Sequence, residues 1–325
     1  MPLSLRRGTV TAVVERVPGL VRLEVDGQPC IAYPGLTGDV EEGDDVIVNV
    51  QARELALGSG GFDILHANVT RGLDLLATDG AHVMKLPYTP LQHAVHHGEE
   101  AAPLAETLDG MPVVCCSLHS QLAPVAAALA GRRVFYVQLA GGALPVALSD
   151  TVRLLRERGL LELAIGAGAC FGGEIDCVTV HSALAYAKAA GAEVVICAIG
   201  PGIAGTGTTL GHGGVAAADA AVAAASLGGR PVVALRVSGA DPRERHQGVS
   251  HHSLTVLAIA STADTAWPEG CPVEQAPARA TVVDASGWRE SCSGLPLSHM
   301  GRGADDDPWF YAAAFAAGRL AGTLV

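Results

Sequence analysis

Residues 8 to about 60 alternate apolar and polar positions with a period of two, which is the pattern of strands covered on one face. The segment 26–29 and the acidic segment 38–44 have the composition of turns between these runs. The pattern predicts a small barrel-like β domain of about five strands over residues 1–62. The alternating segments are 8–14, 20–25, 30–33 and 45–50.

From about residue 110, apolar runs without polar alternation take turns with alanine-rich segments. Such runs are typical of strands covered on both faces, so residues 63–325 are predicted to form a Rossmann-like α/β domain, a mostly parallel sheet with helices on both faces. The predicted strands are 112–117, 134–139, 160–166, 193–199, 231–237 and 281–284. The predicted helices are 124–131, 150–159, 179–190, 214–227, 253–261 and 309–320.

Two parts of the α/β region carry further local signals. The last helix is expected to have Asp307 as its N-cap and Pro308 as its first residue. Residues 61–110 are less regular: 83–86 fits a strand, and 91–100 fits either a helix or a loop.

Composition limits the classes of partner. The chain has 325 residues, 49% of them hydrophobic, and a formal charge of −12, so we expect no nucleic acid partner. No apolar run follows Arg6 and Arg7, and the longest uncharged stretch is broken by glycine and proline, so we expect no leader, no membrane span and a cytoplasmic location. The bias of arginine over lysine is typical of GC-rich bacterial genomes. The eight cysteines are expected to be reduced core residues.

A glycine-rich loop follows the predicted strand 193–199. Glycine permits close backbone approach to a ligand and threonine offers hydroxyls, which suits a phosphate or carboxylate. The spacing of its first three glycines matches the dinucleotide fingerprint, but Pro201 interrupts it and the helix begins late, so a purely structural connection is the alternative. The candidate ligand-binding residues are Gly200, Gly202, Gly205, Thr206, Thr208 and Thr209.

The loop after strand 231–237 concentrates positive charge in a chain that is otherwise poor in it. Arg243, Arg245 and His246 are predicted to bind an anion, and the alternative is a solvated loop paired with Asp241 and Glu244.

Histidines stand at the starts of several predicted helices. We expect at least two of His119, His181, His212 and His252 to converge at one edge of the sheet, where they could act as acid or base or hold a metal. His119, His212 and His252 are the candidate catalytic residues.

A second histidine group, His93, His96 and His97, has metal-ligand spacing if the segment is helical, although the full zinc-protease pattern is absent. Free histidine runs in loops are the alternative.

Several segments resemble an uncharacterised bacterial family described only as a domain of unknown function. The resemblance spans nearly the whole chain, with Pro87 where such a family usually shows a basic residue, and it implies no activity and no catalytic residues. The segments that carry it are 83–92, 118–121, 138–145, 205–214 and 245–252.

The sequence therefore leaves two functions open. The first is binding of an anionic small molecule, possibly phosphorylated, in the post-strand loops of the α/β domain, with or without enzymatic chemistry. The second is a non-enzymatic sensor or protein-interaction module that uses the N-terminal β domain. No cofactor is identified, and the low charged content is compatible with a homo-oligomer.

Overall fold

The computed structural model describes residues 3–56, 60–273 and 276–325. The chain divides into two compact units, Met1–Val95 and His96–Val325.

The first unit contains a closed barrel with the strand order β1-β2-β3-β5-β4, which confirms the predicted β domain. All of its neighbouring strands are antiparallel except β3 and β5. Alternate residues point inward, as the period of two requires: in β4, Val46 and Val48 are buried and their neighbours are half-buried. The strands are β1 (Leu5–Val17), β2 (Leu20–Val25), β3 (Gln28–Ala32), β4 (Asp45–Asn49) and β5 (Asp63–Asn68), with short helices α1 (Pro34–Thr37) and α2 (Gln51–Glu54).

The barrel extends beyond residue 62, because β5 lies at Asp63–Asn68 and closes the sheet against β3 and β4. A two-stranded ribbon follows, made of β6 (Val83–Lys85) and β7 (His93–Val95). The segment 91–100 is therefore not one helix: it holds β7 and the short helix α3 (Gly98–Ala101).

The second unit is built on an eight-stranded, all-parallel sheet in the order β11-β10-β9-β12-β8-β13-β16-β17, which confirms the predicted α/β class. Its strands are β8 (Pro112–Cys116), β9 (Val134–Leu139), β10 (Leu163–Ala167), β11 (Ile175–Cys177), β12 (Val194–Ile199), β13 (Arg230–Ala234), β16 (Asp264–Pro268) and β17 (Thr281–Val283). A small hairpin, β14 (Val237–Ser238) and β15 (Gly248–Val249), leaves the sheet after β13.

Helices cover both faces of this sheet. The helices are α4 (Leu122–Ala128), α5 (Asp150–Glu157), α6 (Val180–Ala189), α7 (Ala216–Ser226), α8 (His251–Ile259), α9 (Trp288–Ser291) and α10 (Pro308–Gly322). The central strand β8 is buried on both sides: Val114 and Cys116 join the core under α4 and α10, and Val113 and Cys115 join the core under α6 and α7. This two-sided burial is why the sheet strands are uniformly apolar in sequence.

The last helix begins at Pro308, with Asp307 at the N-cap position. The Asp307 carboxylate, however, makes no side-chain cap. It accepts hydrogen bonds from the Ser238 hydroxyl at 2.6 Å and from Nε of Arg302 at 3.2 Å. The residue predicted as a helix cap thus holds two loops together.

Candidate functional site

The connections that follow the neighbouring strands β8 and β12 lead to opposite faces of the sheet. The candidate loops lie at this point of divergence. After β8 the chain turns to α4 on one face of the sheet, whereas after β12 it turns to α7 on the other face. Connections that diverge in this way leave a crevice at the carboxyl edge of a parallel sheet, which is the usual ligand site of such folds. The loop after β13 borders the same edge, because β13 pairs with β8.

Four histidines at this edge pack their rings against one another, and they are referred to below as the histidine cluster. The rings of His212 and His252 stack with centroids 3.8 Å apart and planes 18° apart. The His251 ring stands edge-on to both, with centroid distances of 5.4 Å to His212 and 4.4 Å to His252. His246 completes the cluster, 4.9 Å from the rings of His251 and His252. The structure therefore brings together the loop after β12 and the start of α8.

Several polar atoms at this edge are buried and, within residues 3–56, 60–273 and 276–325, have no hydrogen-bond partner. His212 and His252 are only 6% and 5% exposed. A buried polar atom without a partner costs about 1–3 kcal/mol, so a concentration of them marks a place suited to a polar ligand. The atoms are Nδ1 and Nε2 of His212, Nε2 of His251, Nδ1 of His252, Oγ of Ser117 and Nε of Arg236.

Ser117 borders the cluster through Gly214. A Cβ atom on Gly214 would lie 3.0 Å from the carbonyl oxygen of Ser117 and 3.1 Å from Nδ1 of His212. Contacts of this length are tighter than ordinary packing, so a Cβ atom here would push the end of β8 and the histidine loop apart by a few tenths of an ångström.

Burial keeps the cluster uncharged at neutral pH. Burial, helped by nearby positive charge including that of Arg236, lowers the pKa of His252 to about 2 and that of His246 to about 3. Burial also lowers the pKa values of His212 and His251. Because a neutral imidazole carries one N–H donor and one lone pair, the cluster can both donate to a ligand and accept from one.

Helix α8 holds the cluster in place. The hydroxyl of Ser250, the N-cap residue, accepts from the amide of His252 at 3.2 Å and bonds Nδ1 of His246 at 2.7 Å. Further along the helix, the Thr255 hydroxyl donates to the carbonyl of Thr209 at 3.2 Å. The helix that carries two of the rings is thereby tied to the loop that carries His212.

A network of three arginines and two aspartates lies beside the histidine cluster, since the charge of Arg236 acts on all four rings. The buried carboxylate of Asp241 accepts from Arg236 at 2.9 Å, from Arg243 at 2.9 Å and from Arg302 at 3.0 Å. Although burial alone would raise it, the hydrogen bonds and charge of Arg243 hold the pKa of Asp241 well below its usual range. Arg302 also pairs with Asp307. Three positive and two negative groups leave this network with one net positive charge.

The two arginines predicted to bind an anion have different environments. Arg243 donates to Asp241 through both Nε and Nη2, each at 2.9 Å, so its guanidinium is engaged in holding the loop. Arg245 is exposed. It reaches the glycine-rich loop, since a Cβ atom on Gly207 would lie 3.8 Å from its Nη1.

The glycines of the glycine-rich loop set its backbone conformation and its packing against neighbouring segments. A Cβ atom on Gly200 would lie 2.1 Å from the carbonyl oxygen of Ala143, so this glycine allows the loops after β9 and β12 to touch. Gly202 has φ of +73°, which favours glycine. Gly205 forms an antiparallel bridge with His212 and so positions that ring.

The loop threonines are bonded within the loop. The Thr206 hydroxyl bonds that of Thr208 at 2.8 Å and donates to the carbonyl of Gly211 at 3.0 Å. Thr208 in turn accepts from the Gly211 amide at 3.1 Å. The carbonyl of Thr209 is the acceptor for α8. These contacts stabilise the turn that leads into His212.

A separate cavity of about 280 Å³ lies between the loops after β8 and β12 and the segment 296–300. His119 lines it, but both ring nitrogens are engaged: Nδ1 donates to the carbonyl of Ile199 at 3.1 Å and Nε2 lies 2.7 Å from the Ser149 hydroxyl. Burial lowers the pKa of His119 to about 4. His299 also lines the cavity, and its ring stacks on Phe310 at 3.9 Å.

The other predicted histidines lie elsewhere. His93 belongs to β7, His96 is exposed between elements, and His97 is buried before α3, so the three do not share a helix face. Metal binding by His93, His96 and His97 stays a prediction, and the helical spacing on which it is based is not present. His181 is exposed on α6.

Sequence reasoning missed three residues of this region. His251 is not among the candidate site residues that the sequence indicates, yet at the first turn of α8 both His251 and His252 reach the cluster. Arg236 is hidden in an apolar run, and Arg302 is distant in sequence from Asp241. The adjacent pair His251 and His252 was the one feature of the sequence that could have indicated the cluster.

Within residues 3–56, 60–273 and 276–325, no helix has the length and apolar character that a membrane span requires. A family model described as "Protein of unknown function (DUF3866)" matches residues 29–318, most of the chain, which confirms the resemblance drawn from the motifs. No curated protein matches the chain.

Proposed function

Because the chain belongs to this family of proteins of unknown function, DUF3866, whose description assigns no chemistry, we propose a function from the site alone. The α/β unit binds a small anionic ligand, a phosphate or carboxylate compound, at the carboxyl edge of its parallel sheet beside the histidine cluster. The observation that carries this proposal is the set of buried polar atoms without partners at that edge.

Charge supports an anion over a cation or a neutral ligand. The arginine–aspartate network carries one net positive charge within a chain whose formal charge is −12. A local positive field at a partly buried edge attracts small anions even when the whole protein is acidic. Arg245 adds an exposed guanidinium at the rim.

Donor geometry supports a small oxyanion. Nε of Arg236 and Oγ of Ser117 are donors without partners in the described chain, and each neutral imidazole supplies one N–H group. Charge-assisted bonds from arginine to carboxylate or phosphate are short and strong. Arg243 acts indirectly, by holding the Asp241 loop against Arg236.

Thermal melting of the full chain tests this proposal. Inorganic phosphate and citrate are titrated at constant ionic strength, with chloride as reference. An anion at about 100 times its Kd adds about 2.7 kcal/mol, which raises the Tm of a unit of this size by about 5–10 °C. We expect Arg245→Ala to lose most of this shift.

Arg289→Ala is the matched control, because Arg289 is an exposed arginine paired with Asp305 elsewhere in the same unit. Its anion-dependent shift should equal that of the unaltered protein. A Tm that no anion raises above the chloride reference, or an equal loss in both variants, would overturn the proposal.

A further inference from the structure

Three ring nitrogens of the histidine cluster have the spacing of a metal site. His212, His251 and His252 each offer one nitrogen, and these nitrogens lie within 4.8 Å of one another. In a tetrahedral zinc site each nitrogen lies about 2.0–2.1 Å from the metal, and two nitrogens are then about 3.4 Å apart. The nitrogens therefore need to approach one another by at most about 1.4 Å, a distance that side-chain rotation can supply.

The donor set selects a class of metal. Three neutral imidazoles and no carboxylate make a poor site for Mg²⁺ or Ca²⁺, which require oxygen ligands. Imidazole suits Zn²⁺, Co²⁺, Ni²⁺ and Cu²⁺. Three protein ligands with a fourth position open is the arrangement of catalytic zinc sites, whereas structural sites have four.

The scaffold fixes all three donors from their backbones. His251 and His252 occupy the first turn of α8, which Ser250 caps. The His212 segment is held by the bridge to Gly205 and by the amide of Gly213, which donates to the carbonyl of Ala204 at 2.7 Å. Ligands carried by such a framework need only side-chain adjustment to bind.

We propose that His212, His251 and His252 bind one divalent transition-metal ion of the Zn²⁺ class. A metal lies in the plane of each imidazole that binds it, so binding tilts the stacked rings of His212 and His252 apart. His246 is a positioning residue beside them, oriented by Ser250.

The metal ion also offers the anion a binding position, namely its open fourth site. This part of the inference rests on the proposed function. Neutral ligands leave the ion with its full double charge, next to a network that is itself positive. A phosphate or carboxylate oxygen at the open position offsets part of this combined positive charge. Metal and anion then strengthen each other's binding by the same factor.

Cobalt titration of the EDTA-treated full chain tests the metal site directly. Co²⁺ bound tetrahedrally gives intense visible absorption, which needs no assumption about activity. We expect one Co²⁺ per chain, displaced by Zn²⁺, with affinity increased several-fold by inorganic phosphate. His251→Gln should weaken binding by about 100-fold or more, since even loss of an outer-shell partner costs about 10–100-fold.

The variants separate this site from its alternatives. His251 is only partly buried, so His251→Gln should fold, and His252→Gln is the second ligand test. The control variants His181→Gln and His96→Gln replace exposed histidines and should bind Co²⁺ normally. Normal binding in His251→Gln and His252→Gln, or its loss in His96→Gln alone, would overturn the site.

The experiments can contradict the metal site and the proposed anion binding separately. If the unaltered protein binds neither Co²⁺ nor Zn²⁺ while phosphate still raises the Tm of EDTA-treated protein, the metal inference is wrong and the anion site stands. If Co²⁺ binds through His251 and His252 but no anion raises the Tm above the chloride reference, the metal site stands and the proposed function fails.

Discussion

His212 and His252 stack with ring centroids 3.8 Å apart, although one follows β12 and the other lies on α8. The contact joins two connections that leave the sheet around its central strand β8. Each ring is nearly inaccessible to solvent and retains nitrogen atoms without partners in the described chain. Replacing such a pair by apolar side chains of the same shape can be nearly neutral for stability, so packing alone does not require imidazole rings here.

The buried aspartate beside the cluster is predicted to dominate local stability. Asp241→Asn removes the negative charge that three arginines share, and it leaves Arg236, which is 2% exposed, without charge compensation. Breaking a buried ion pair in this way costs about 3–5 kcal/mol. Chemical unfolding of the purified variant measures the loss.

An exposed pair in the same unit provides the comparison. Asp305 is 95% exposed where it meets Arg289, so Asp305→Asn should cost less than about 1 kcal/mol. Similar losses for the two variants would show that the Asp241 network is not a buried structural centre.

Ser250 and Ser149 offer a matched pair of helix caps. Ser250 caps α8 and bonds Nδ1 of His246, whereas Ser149 caps α5 and bonds Nε2 of His119. Alanine at either position should cost about 2–4 kcal/mol of unfolding free energy, because each variant loses a helix cap and leaves a histidine nitrogen without its serine partner. Only Ser250→Ala should also weaken Co²⁺ binding, by about 10–100-fold, since it releases a neighbour of the metal ligands.

Titration of Co²⁺ into both variants distinguishes the two roles. Equal cobalt affinities would mean that Ser250 serves the helix alone.

Most of the sheet was predictable, because a strand buried on both faces has a continuous apolar sequence. Val113 to Cys116 show this directly. The strand β16 escaped prediction since it contains Thr265 and Pro268; the Thr265 hydroxyl is buried only because it donates to the carbonyl of Val233 at 2.8 Å. That partner is visible only when the two strands are paired.

The candidate site was predictable only in part. The sequence indicates the loops that carry His212 and His252, but the ring contact depends on which connections diverge around β8. It also places Arg243 near Asp241, while the third arginine, Arg302, comes from the far end of the chain. Groups joined by tertiary packing leave no local pattern.

Gly200 is predicted to be irreplaceable for a packing reason. A Cβ atom there would lie 2.1 Å from the carbonyl oxygen of Ala143, so Gly200→Ala must separate the loops after β9 and β12. Since such a shift disturbs buried backbone, we expect a loss of about 2 kcal/mol or more. At Gly239 a Cβ atom would meet nothing within 4 Å, so Gly239→Ala should be nearly neutral. Thermal melting compares the two, and an unchanged Tm for Gly200→Ala would contradict the packing argument.

Acid should destabilise the protein through its buried histidines, and His299 isolates one of them. Burial, with the charges of Arg236 and Arg302, lowers the pKa of His299 to about 3, whereas the unfolded side chain titrates near about 6.5. Between these values the unfolded state holds a proton that the folded state lacks, so the free energy of unfolding falls as the pH falls.

One such histidine contributes a slope of at most about 1.4 kcal/mol per pH unit, which is nearly complete between about pH 5.5 and 4 and absent above about pH 7.5. The slope disappears again as the pH falls through the folded pKa of about 3. His299→Gln keeps a polar side chain opposite the Ser120 hydroxyl but cannot titrate. Its stability at neutral pH should be lower, because the ring stacked on Phe310 is lost. Its free energy of unfolding should nevertheless decline less steeply between about pH 6 and 4, by the slope of one titrating histidine, at most about 1.4 kcal/mol per pH unit. Urea unfolding at several pH values measures both quantities, and parallel curves for the two proteins would mean that His299 is protonated to the same extent in the folded and unfolded states.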